Sequence, residues 1–304
     1  MEQLSEPKEG IKLKLSGNRT ELFCIIGMPA KHSLSPLMHN SAFSYLGIDA
    51  FFFATDVQSS ELANAIQALR TLGIKGMTLT SPHKKAVMKY IDVIDKDAER
   101  IGAVNTVVNL SGKLVGYNTD APGFINAITK VTEIDAKNFV IIGAGGAARA
   151  FIFEILKTAK KPKVTILNRT IEHALKLKEE ANVYFGVDIT AMQLNDGNVE
   201  ISTGTADIIV NATNVDLENK DATPVRKEFL RRGQVVFDAN YVPARPKLIR
   251  DAEETGCITV TGDKLLLHQG VVAFKLFTGM DAPVEVMENA VSGALKETEA
   301  KGNS

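Results

Sequence analysis

The sequence predicts an α/β protein of two domains, each built on a mainly parallel sheet. Three observations predict it. Short apolar runs rich in β-formers alternate with longer segments of helical period, which is typical of βαβ units. This alternation restarts in a more regular form after Asn138. The chain is 304 residues long, enough for one large or two medium domains.

The first half contains four predicted strands and a hairpin. The strands are predicted at 22–26, 51–54, 77–80 and 104–108. Helices are predicted to open at Ser35, where Pro36 fits a first helical turn, to cover ELANAIQALRTLG, and to follow Pro82. Ser-Gly at 111–112 predicts a hairpin turn into 113–115, which would add an antiparallel edge to the sheet.

The second half repeats the alternation. Strands are predicted at 139–142, 164–167, 206–211 and 235–238, and two helical segments follow Gly262. We expect ordered joins near Asp120 and Gly262, because no low-complexity linker occurs. The expected domains are therefore residues 1–120 plus 262–304, and residues 121–261.

Composition excludes several classes of protein. Thirty-five Lys and Arg balance 36 Asp and Glu, so no global charge favours nucleic acid or an anionic membrane. Cys24 and Cys257 lie far apart in apolar runs, without metal-ligand spacing, and are expected to be buried free thiols; no metal is expected. Because no run of eighteen apolar residues or apolar leader occurs, we expect a cytoplasmic protein with a loosely attached N-terminal tail.

A glycine turn predicts a Rossmann-type dinucleotide site. The sequence of 143–148, GAGGAA, follows an apolar strand and precedes an apolar helix, which is the required context for G-x-G-x-x-A. A turn serving only close packing is the structural alternative. The next strand ends in Asn168-Arg169-Thr170 rather than a carboxylate, which favours the 2′-phosphate of NADP. A solvated arginine at a helix start is the alternative there.

Polar residues gather at predicted strand ends in the first half. They are Ser33, Ser35, Lys84, Asn105 and Asp120. All but Ser33 have a purely structural alternative: Ser35 as a helix N-cap, Lys84 as a surface charge, Asn105 as a partner of backbone groups, and Asp120 as a helix cap. Strand ends are nevertheless where open α/β sheets bind ligands, and this set fits a small polyhydroxylated acid.

Nine motifs in order give the chain a resemblance to the shikimate dehydrogenases and their quinate/shikimate relatives. They are G-x-P-x-x-H-S-L-S-P-x-x-H-N at 27–40, T-x-P-H-K at 80–84, I-G-A-V-N-T-V at 101–107, G-x-N-T-D-x-x-G-F at 116–124, GAGGAARA at 143–150, NRT at 168–170, NAT at 211–213, D-x-x-Y-x-P at 238–243, and Gln269-Gly270. The resemblance spans about residues 22 to 280. It implies NADP-linked interconversion of 3-dehydroshikimate and shikimate.

The resemblance also implies the site residues. Lys84 and Asp120 would be the catalytic pair. The substrate would contact Ser33, Ser35, Thr78, Thr80, Lys84, Asn105, Asp120, Tyr241 and Gln269. The cofactor, NADP with NAD as a second choice, would contact Gly143, Ala144, Gly145, Gly146, Ala147, Ala148, Asn168, Arg169, Thr170, Asn211, Ala212, Thr213 and Gly262. The first domain would be catalytic, and the protein would act as a monomer or homodimer.

The chain departs from the family pattern in several places, among them the segment around Pro246, where the family's Thr after Y-x-P is replaced. Thr78 stands where the family has Asn, His173 stands where a basic residue often follows NRT, and Asn214-Val215 follows NAT. Phosphate recognition would therefore rest on Arg169, and the ring-hydroxyl site would change shape. The alternatives are a quinate/shikimate dehydrogenase using NAD as well, a non-catalytic nucleotide-binding regulator, and a structural scaffold.

Overall fold

The computed structural model describes residues 15–213 and 222–302. The expectations for residues 1–14 of the N-terminal tail and for Asn214-Val215 lie outside these residues. The described chain is built on two sheets of six strands each, with helices on their faces. None of the described helices is long and apolar enough to cross a membrane.

The first sheet is formed by the first part of the chain. Its strands are β1 (Glu21–Gly27), β2 (Ala50–Asp56), β3 (Gly76–Leu79), β4 (Val93–Ile94), β5 (Thr106–Leu110) and β6 (Lys113–Tyr117), in the order β2-β1-β3-β5-β6-β4. The helices among and after them are α1 (Ser35–Leu46), α2 (Leu62–Thr71), α3 (His83–Ala86), α4 (Lys96–Ile101) and α5 (Asp120–Ile128). β1 pairs in parallel with β2 and β3, whereas β5 runs antiparallel to β3 and β6.

The hairpin prediction is confirmed, but its place in the sheet differs from the prediction. Ser111 and Gly112 both have positive φ, 54° and 96°, as a tight two-residue turn between twisted strands requires. The hairpin does not form the edge, because the two-residue strand β4 pairs with β6 and covers it. The sequence signal for β4 was too short to be seen.

The second sheet is entirely parallel. Its strands are β7 (Asn138–Ile142), β8 (Lys163–Asn168), β9 (Thr190–Gln193), β10 (Ile208–Asn211), β11 (Val235–Asp238) and β12 (Ile258–Val260), in the order β12-β11-β10-β7-β8-β9. Its helices are α6 (Gly146–Thr158), α7 (Ile171–Phe185), α8 (Asp196–Thr205) and α9 (Lys247–Thr255). The strand order reverses between β7 and β10, which is where open parallel sheets leave a binding crevice.

The two C-terminal helices return to the first sheet. These are α10 (Gly262–Thr278) and α11 (Val284–Gly302). Phe274 of α10 and Met287 of α11 share a buried cluster with Phe43 of α1 and Phe23 of β1. Helix α5 instead packs against the second sheet and its helices: Phe124 stacks on Phe151 of α6 with ring centroids 4.3 Å apart and meets Phe237 of β11 edge-on at 5.1 Å. The chain therefore crosses between the two sheets at the start of α5 and again at the start of α10.

The cysteines differ from the expectation in one respect. Both are free thiols, and Cys24 is buried in β1 as expected. Cys257 is only half-buried, because it precedes β12 in a loop and its thiol donates to the carbonyl oxygen of Arg231. Burial raises the pKa of the Cys24 thiol to about 12, so this thiol stays protonated and unreactive at neutral pH.

A buried imidazole is enclosed by aromatic rings. His39 of α1 is 0% exposed and stacks on Phe52 at 4.6 Å and on Phe274 at 6.1 Å between centroids. Neither ring nitrogen has a hydrogen-bond partner among the described residues. Burial lowers the pKa of His39 from 6.5 to about 3, because nothing near the ring compensates the charge of an imidazolium.

We expect His39 to make folding sensitive to mild acid. The unfolded chain binds a proton at this side chain below pH 6.5 and the folded chain does not until about pH 3, so stability falls as the pH drops through this window. The loss between pH 7 and pH 5 is about 2 kcal/mol for this one group. Urea denaturation of the wild type and of His39→Met over this range measures it. An identical pH dependence in both proteins would contradict the assignment.

Candidate active site

Polar side chains of the first sheet meet at one edge. β1, β3 and β6 run in the same direction, so the segments that follow them, carrying Ser33, Thr80 and Asp120, lie at the same edge. Asn105 comes directly before β5, not at the end of a strand as the sequence suggested. Because β5 is antiparallel, its beginning lies at this same edge. Asn105 therefore lies at the edge where the sequence placed it, although the strand begins at Thr106 and not at residue 104 as predicted.

A cavity of about 370 Å³ lies between this edge and the carboxyl ends of β10 and β11. We call it the polar cavity. All nine substrate residues expected from the sequence line it: Ser33, Ser35, Thr78, Thr80, Lys84, Asn105, Asp120, Tyr241 and Gln269. The second sheet contributes residues that follow its strands, among them Thr213, Asn240 and Gly262. The sequence reasoning missed His32, which also lines the cavity and stands in the first motif beside Ser33.

Lys84 and Asp120 form an ion pair in the polar cavity. Nζ of Lys84 donates to Oδ2 of Asp120 at 2.7 Å, joining the first helical turn after β3 to the first residue of α5. The lysine side chain is 34% exposed and the aspartate side chain 16%. The ammonium therefore keeps access to solvent while the carboxylate holds its position, an arrangement that can deliver a proton repeatedly.

Asp120 does not cap the helix that it begins. Its Oδ1 accepts from Nδ2 of Asn105 at 2.9 Å, so both carboxylate oxygens bind side chains. The backbone N–H of Ala121 is satisfied instead by Oδ1 of Asn118 at 3.1 Å. Oδ1 of Asn105 also accepts from the backbone N–H of Thr119 at 2.7 Å. Asn105 thereby fixes both the start of α5 and the direction of the Asp120 carboxylate.

The two serines are held side by side. Oγ of Ser33 donates to Oγ of Ser35 at 3.1 Å and accepts from the Ser35 backbone N–H at 3.2 Å. The prediction of Ser35 as N-cap is wrong, because α1 begins at Ser35, its N-cap is Leu34, and the N-cap side chain makes no capping hydrogen bond. The Ser33 hydroxyl binds the first backbone N–H of α1 whereas the Ser35 hydroxyl caps nothing, and the two adjacent hydroxyls can rotate to donate to a carboxylate.

The floor of the polar cavity holds an unsatisfied hydroxyl. Oγ1 of Thr78 is buried and has no hydrogen-bond partner among the described residues, although the side chain lines the cavity. A buried polar atom without a partner costs about 1–3 kcal/mol, so a ligand group that bonded to it would recover that cost. On the opposite wall, burial raises the pKa of the Tyr241 phenol, which keeps it a neutral donor and acceptor.

Gly123, to which the sequence analysis assigned no role, allows α5 and α10 to pack closely. A Cβ added at Gly123 of α5 would lie 2.6 Å from the backbone nitrogen of Gln269 in α10, so only glycine permits this crossing. The contact sets Gln269 beside Thr119, whose Oγ1 lies 3.4 Å from its Oε1. The available signal was the glycine in the motif G-x-N-T-D-x-x-G-F.

A second cavity, of about 450 Å³, lies over the glycine turn, and we call it the glycine-turn cavity. Eight of the expected cofactor residues line it: Gly143, Ala144, Gly145, Gly146, Ala147, Asn168, Ala212 and Thr213. Lys84, Asp120, Ala147, Ala212 and Thr213 line both cavities. The ion pair therefore stands where the two cavities meet.

The glycine turn has the shape that a dinucleotide needs. Gly143 has φ of +112°, and a Cβ added there would lie 3.0 Å from the carbonyl oxygen of Ala212, so a side chain is excluded on both grounds. Cβ atoms at Gly145 and Gly146 would meet nothing within 4 Å, which leaves open space in front of the first N–H groups of α6. Helix N-termini with such access bind phosphates, so the turn fits a pyrophosphate.

The remaining expected cofactor residues lie around this cavity without lining it. Ala148 is fully buried beneath the turn and lets α6 pack closely. Asn211 is buried, donates to Asp238 at 3.0 Å and accepts from the Thr213 hydroxyl, which shapes the segment after β10. Gly262 lines the polar cavity, where a Cβ would collide with the backbone of Asn240.

Arg169 and Thr170 are exposed on the turn between β8 and α7. Nδ2 of Asn168 donates to the carbonyl oxygen of Thr170 at 2.8 Å and thereby closes this turn. The Arg169 guanidinium makes no hydrogen bond or ion pair with another described residue. The guanidinium therefore remains available for an anion beside the glycine-turn cavity, which the neighbouring Asn168 lines. Among the described residues, no cluster of His, Cys, Asp and Glu could hold a metal ion.

Comparison with known proteins links both parts of the chain to one family. The family model for a shikimate dehydrogenase substrate binding domain matches residues 25–107. The model for shikimate / quinate 5-dehydrogenase matches residues 126–238, and the model for a shikimate 5′-dehydrogenase C-terminal domain matches residues 265–291.

Individual proteins extend this similarity over most of the chain. Shikimate dehydrogenase (NADP(+)) of Pyrococcus furiosus is 42% identical over 278 residues, which cover 91% of this chain and 97% of that protein. A crystal structure of a shikimate dehydrogenase in complex with NADP+ has a TM-score of 0.86 at 38% identity and covers 94% and 99% of the two chains. The Listeria monocytogenes enzyme in complex with shikimate and NAD has a TM-score of 0.85 at 33% identity, with coverage of 92% and 98%.

Proposed function

Because the chain belongs to the shikimate dehydrogenase family, we propose that it catalyses the reversible NADPH-dependent reduction of 3-dehydroshikimate to shikimate, a step of the shikimate pathway of aromatic amino acid biosynthesis. The observation that carries the proposal is the Lys84–Asp120 pair, 2.7 Å apart where the polar and glycine-turn cavities meet. A redox reaction on a small hydroxy acid needs a proton-transfer group between the substrate and the dinucleotide.

Lys84 and Asp120 are the proposed catalytic residues. The bound cofactor would supply the hydride, and the protein must supply the proton and stabilise the charge that develops on oxygen. The Lys84 ammonium donates that proton to the carbonyl oxygen and regains one from solvent through its exposed fraction. Asp120 orients the ammonium with one carboxylate oxygen, while Asn105 holds the other.

The other residues of the polar cavity are proposed to hold the substrate. The paired hydroxyls of Ser33 and Ser35 would bind the carboxylate, and the ring hydroxyls would bond to the opposite wall and floor. The groups available there are Thr78, Thr80, Asn105, Asp120, Tyr241 and Gln269. Each is a neutral or acidic hydrogen-bonding group, which suits a polyhydroxylated ring.

The glycine-turn cavity is the proposed dinucleotide site. The first N–H groups of α6 would bind the pyrophosphate, Asn168 and Arg169 the adenosine end, and Ala212, Thr213 and Gly262 the nicotinamide end. We accordingly propose residues 1–120 plus 262–304 as the catalytic domain and residues 121–261 as the dinucleotide domain. The protein is proposed to act in the cytoplasm as a monomer or homodimer.

A quinate/shikimate dehydrogenase with dual cofactor use is the second candidate. The threonine at position 78, where the family pattern has Asn, favours it, because one hydroxyl offers fewer hydrogen bonds than an amide and therefore discriminates less between ring hydroxyl patterns. The solved Listeria relative is described in complex with NAD, which shows that NAD binds that protein. A non-catalytic regulator is disfavoured, since such a protein has no use for an aligned ion pair between two cavities.

The test is absorbance of the reduced nicotinamide with shikimate and with quinate, each against NADP and NAD. We expect the largest kcat/KM for shikimate with NADP. A preference for quinate with NAD would replace the first candidate by the second. Cofactor binding without turnover of any of the four pairs would favour the regulator.

Arg169 is expected to control the choice of cofactor. Arg169→Ala should raise the Kd for NADPH about tenfold and leave that for NADH nearly unchanged, because only the 2′-phosphate loses a charge-assisted contact. The arginine is exposed, so the contact is partly screened and the effect is at the low end for such bonds. Lys176→Ala, an exposed cation further along α7, is the control. Equal losses for both cofactors would contradict this role.

Thr78 is expected to relax substrate choice. Thr78→Asn should raise the ratio of kcat/KM for shikimate over quinate by about three- to tenfold, because the longer amide supplies hydrogen bonds that the threonine hydroxyl cannot reach. Steady-state kinetics with both substrates measure the ratio. Thr71→Asn, on an exposed part of α2, controls for the substitution itself. An unchanged ratio would mean that position 78 does not determine specificity.

A further inference from the structure

Helix α3 carries two adjacent lysines, Lys84 and Lys85, that differ in the cavities they line. The helix is anchored by His83, which is 1% exposed and whose Nε2 lies 2.8 Å from the carbonyl oxygen of Val57. The carbonyl oxygen of Lys84 accepts from the backbone N–H of Val104 at 2.8 Å. With the helix fixed in this way, Lys84 lines both cavities and Lys85 lines only the glycine-turn cavity. Lys85 is not part of any of the motifs above.

The charge of Lys85 is not compensated inside the cavity. Among the residues that the structure describes, the charged side chains that line the glycine-turn cavity are Lys84, Lys85 and Asp120. Asp120 is paired with Lys84 at 2.7 Å, whereas the exposed Lys85 ammonium forms no ion pair or hydrogen bond with another described residue. The described part of the lining therefore carries one net positive charge, which attracts an anion.

The opposite wall of the cavity is also electropositive. It is the N-terminus of α6, a helix of 13 residues whose N-cap, Gly145, supplies no side chain to satisfy the first N–H groups. The helix dipole places a partial positive charge there. Space for a ligand is open at Gly145 and Gly146. One wall belongs to the dinucleotide sheet and the other, with Lys85, to the first sheet.

We propose that Lys85 contacts the pyrophosphate of the dinucleotide, so that its phosphates are bound from both sides of the cleft. This inference rests on the proposed function. The α6 terminus alone offers partial charges from one side, and Lys85 adds a full charge from the other. Because NADP and NAD share the pyrophosphate, the contact strengthens the binding of both cofactors equally. The proposed contact of Arg169 with the 2′-phosphate, in contrast, strengthens the binding of NADP alone.

Cofactor binding without turnover tests the contact. The Kd values for NADPH and NADH are measured from nicotinamide fluorescence at low salt for the wild type, Lys85→Ala, Lys85→Glu and Lys89→Ala. Lys89 is the matched control, since it is exposed on the same segment and lines neither cavity. We expect Lys85→Ala to raise both Kd values about three- to tenfold, Lys85→Glu to raise them further, and Lys89→Ala to change neither. Salt should reduce the differences.

A fragment locates the contact on the ligand. The Kd for 2′-AMP, which has the 2′-phosphate but no pyrophosphate, should be the same for Lys85→Ala and wild type. Unchanged Kd values for both dinucleotides in Lys85→Ala would overturn the proposal. A loss confined to NADPH, accompanied by a loss for 2′-AMP, would also overturn it and assign Lys85 to the 2′-phosphate. A wild type that bound neither dinucleotide would overturn the proposed function together with this contact.

Discussion

We expect Lys84→Ala to lower kcat about 10²- to 10⁴-fold and to change the KM for shikimate much less. A positioned general acid or base contributes about this much to a rate, and the contribution arises in the transition state. The ammonium stands where the two cavities meet, and among the described residues Lys84 is the only cation that lines both of them. Steady-state kinetics in both directions measure kcat and KM separately.

Two variants distinguish proton transfer from general electrostatics. Lys84→Arg keeps the positive charge and the partner Asp120, but a guanidinium does not give up its proton near neutral pH, so we expect most of the loss to remain. Lys89→Ala removes an exposed lysine of the same segment and should leave kcat unchanged. Near-normal turnover in Lys84→Ala would exclude Lys84 as the proton donor.

We expect Asp120→Asn to lower kcat/KM for shikimate about 10²- to 10³-fold, through both kcat and KM. The carboxylate binds Lys84 through Oδ2 and Asn105 through Oδ1, and Asp120 lines the polar cavity, where the substrate is proposed to bind. The asparagine amide has only one oxygen, so its NH₂ group must face one of the two donors, Nζ of Lys84 or Nδ2 of Asn105. It therefore leaves either the ammonium or the Asn105 amide without an acceptor, a loss of about 1–3 kcal/mol or more for a charged partner.

The same substitution at a surface ion pair is the control for Asp120→Asn. Asp97 pairs with Lys157 away from the cavities, and Asp97→Asn should change neither kinetic constant. Urea denaturation of Asp120→Asn shows how much stability is lost. A variant with lower stability but normal kcat and KM would assign Asp120 to holding the start of α5 instead of to catalysis.

The alternation of strands and helices could be predicted from the sequence because it depends on near neighbours in the chain. The apolar run before the glycine turn and the small residues after it are enough to specify β7, the turn and α6. The boundaries of β5 could not be read in this way. Asn105 and Val104 have the composition of the strand that follows, and only pairing with β3 and β6 shows that β5 begins at Thr106.

The membership of the site could be predicted, but its geometry could not. Of the nine expected substrate residues that line the polar cavity, eight belong to the motifs, each of which is a short stretch of contiguous sequence, and Thr78 was noted as a departure from the family pattern. The motif that contains Asp120 did not show that this residue accepts from Asn105 rather than capping α5, because that depends on the neighbouring Asn118 supplying the cap. Nor did it show that Gly123 is required by the backbone of Gln269.

The sequence by itself determined the fold class, the dinucleotide turn and the identity of the side chains available for chemistry, because these follow from local periodicity and from contiguous residues. Only the tertiary structure decided which of these side chains meet. The strand order β2-β1-β3-β5-β6-β4 and the close crossing of α5 and α10 bring Lys84, Asp120 and Gln269 to one cavity. Such distances depend on sheet order and on packing between segments far apart in the chain, which local sequence does not encode.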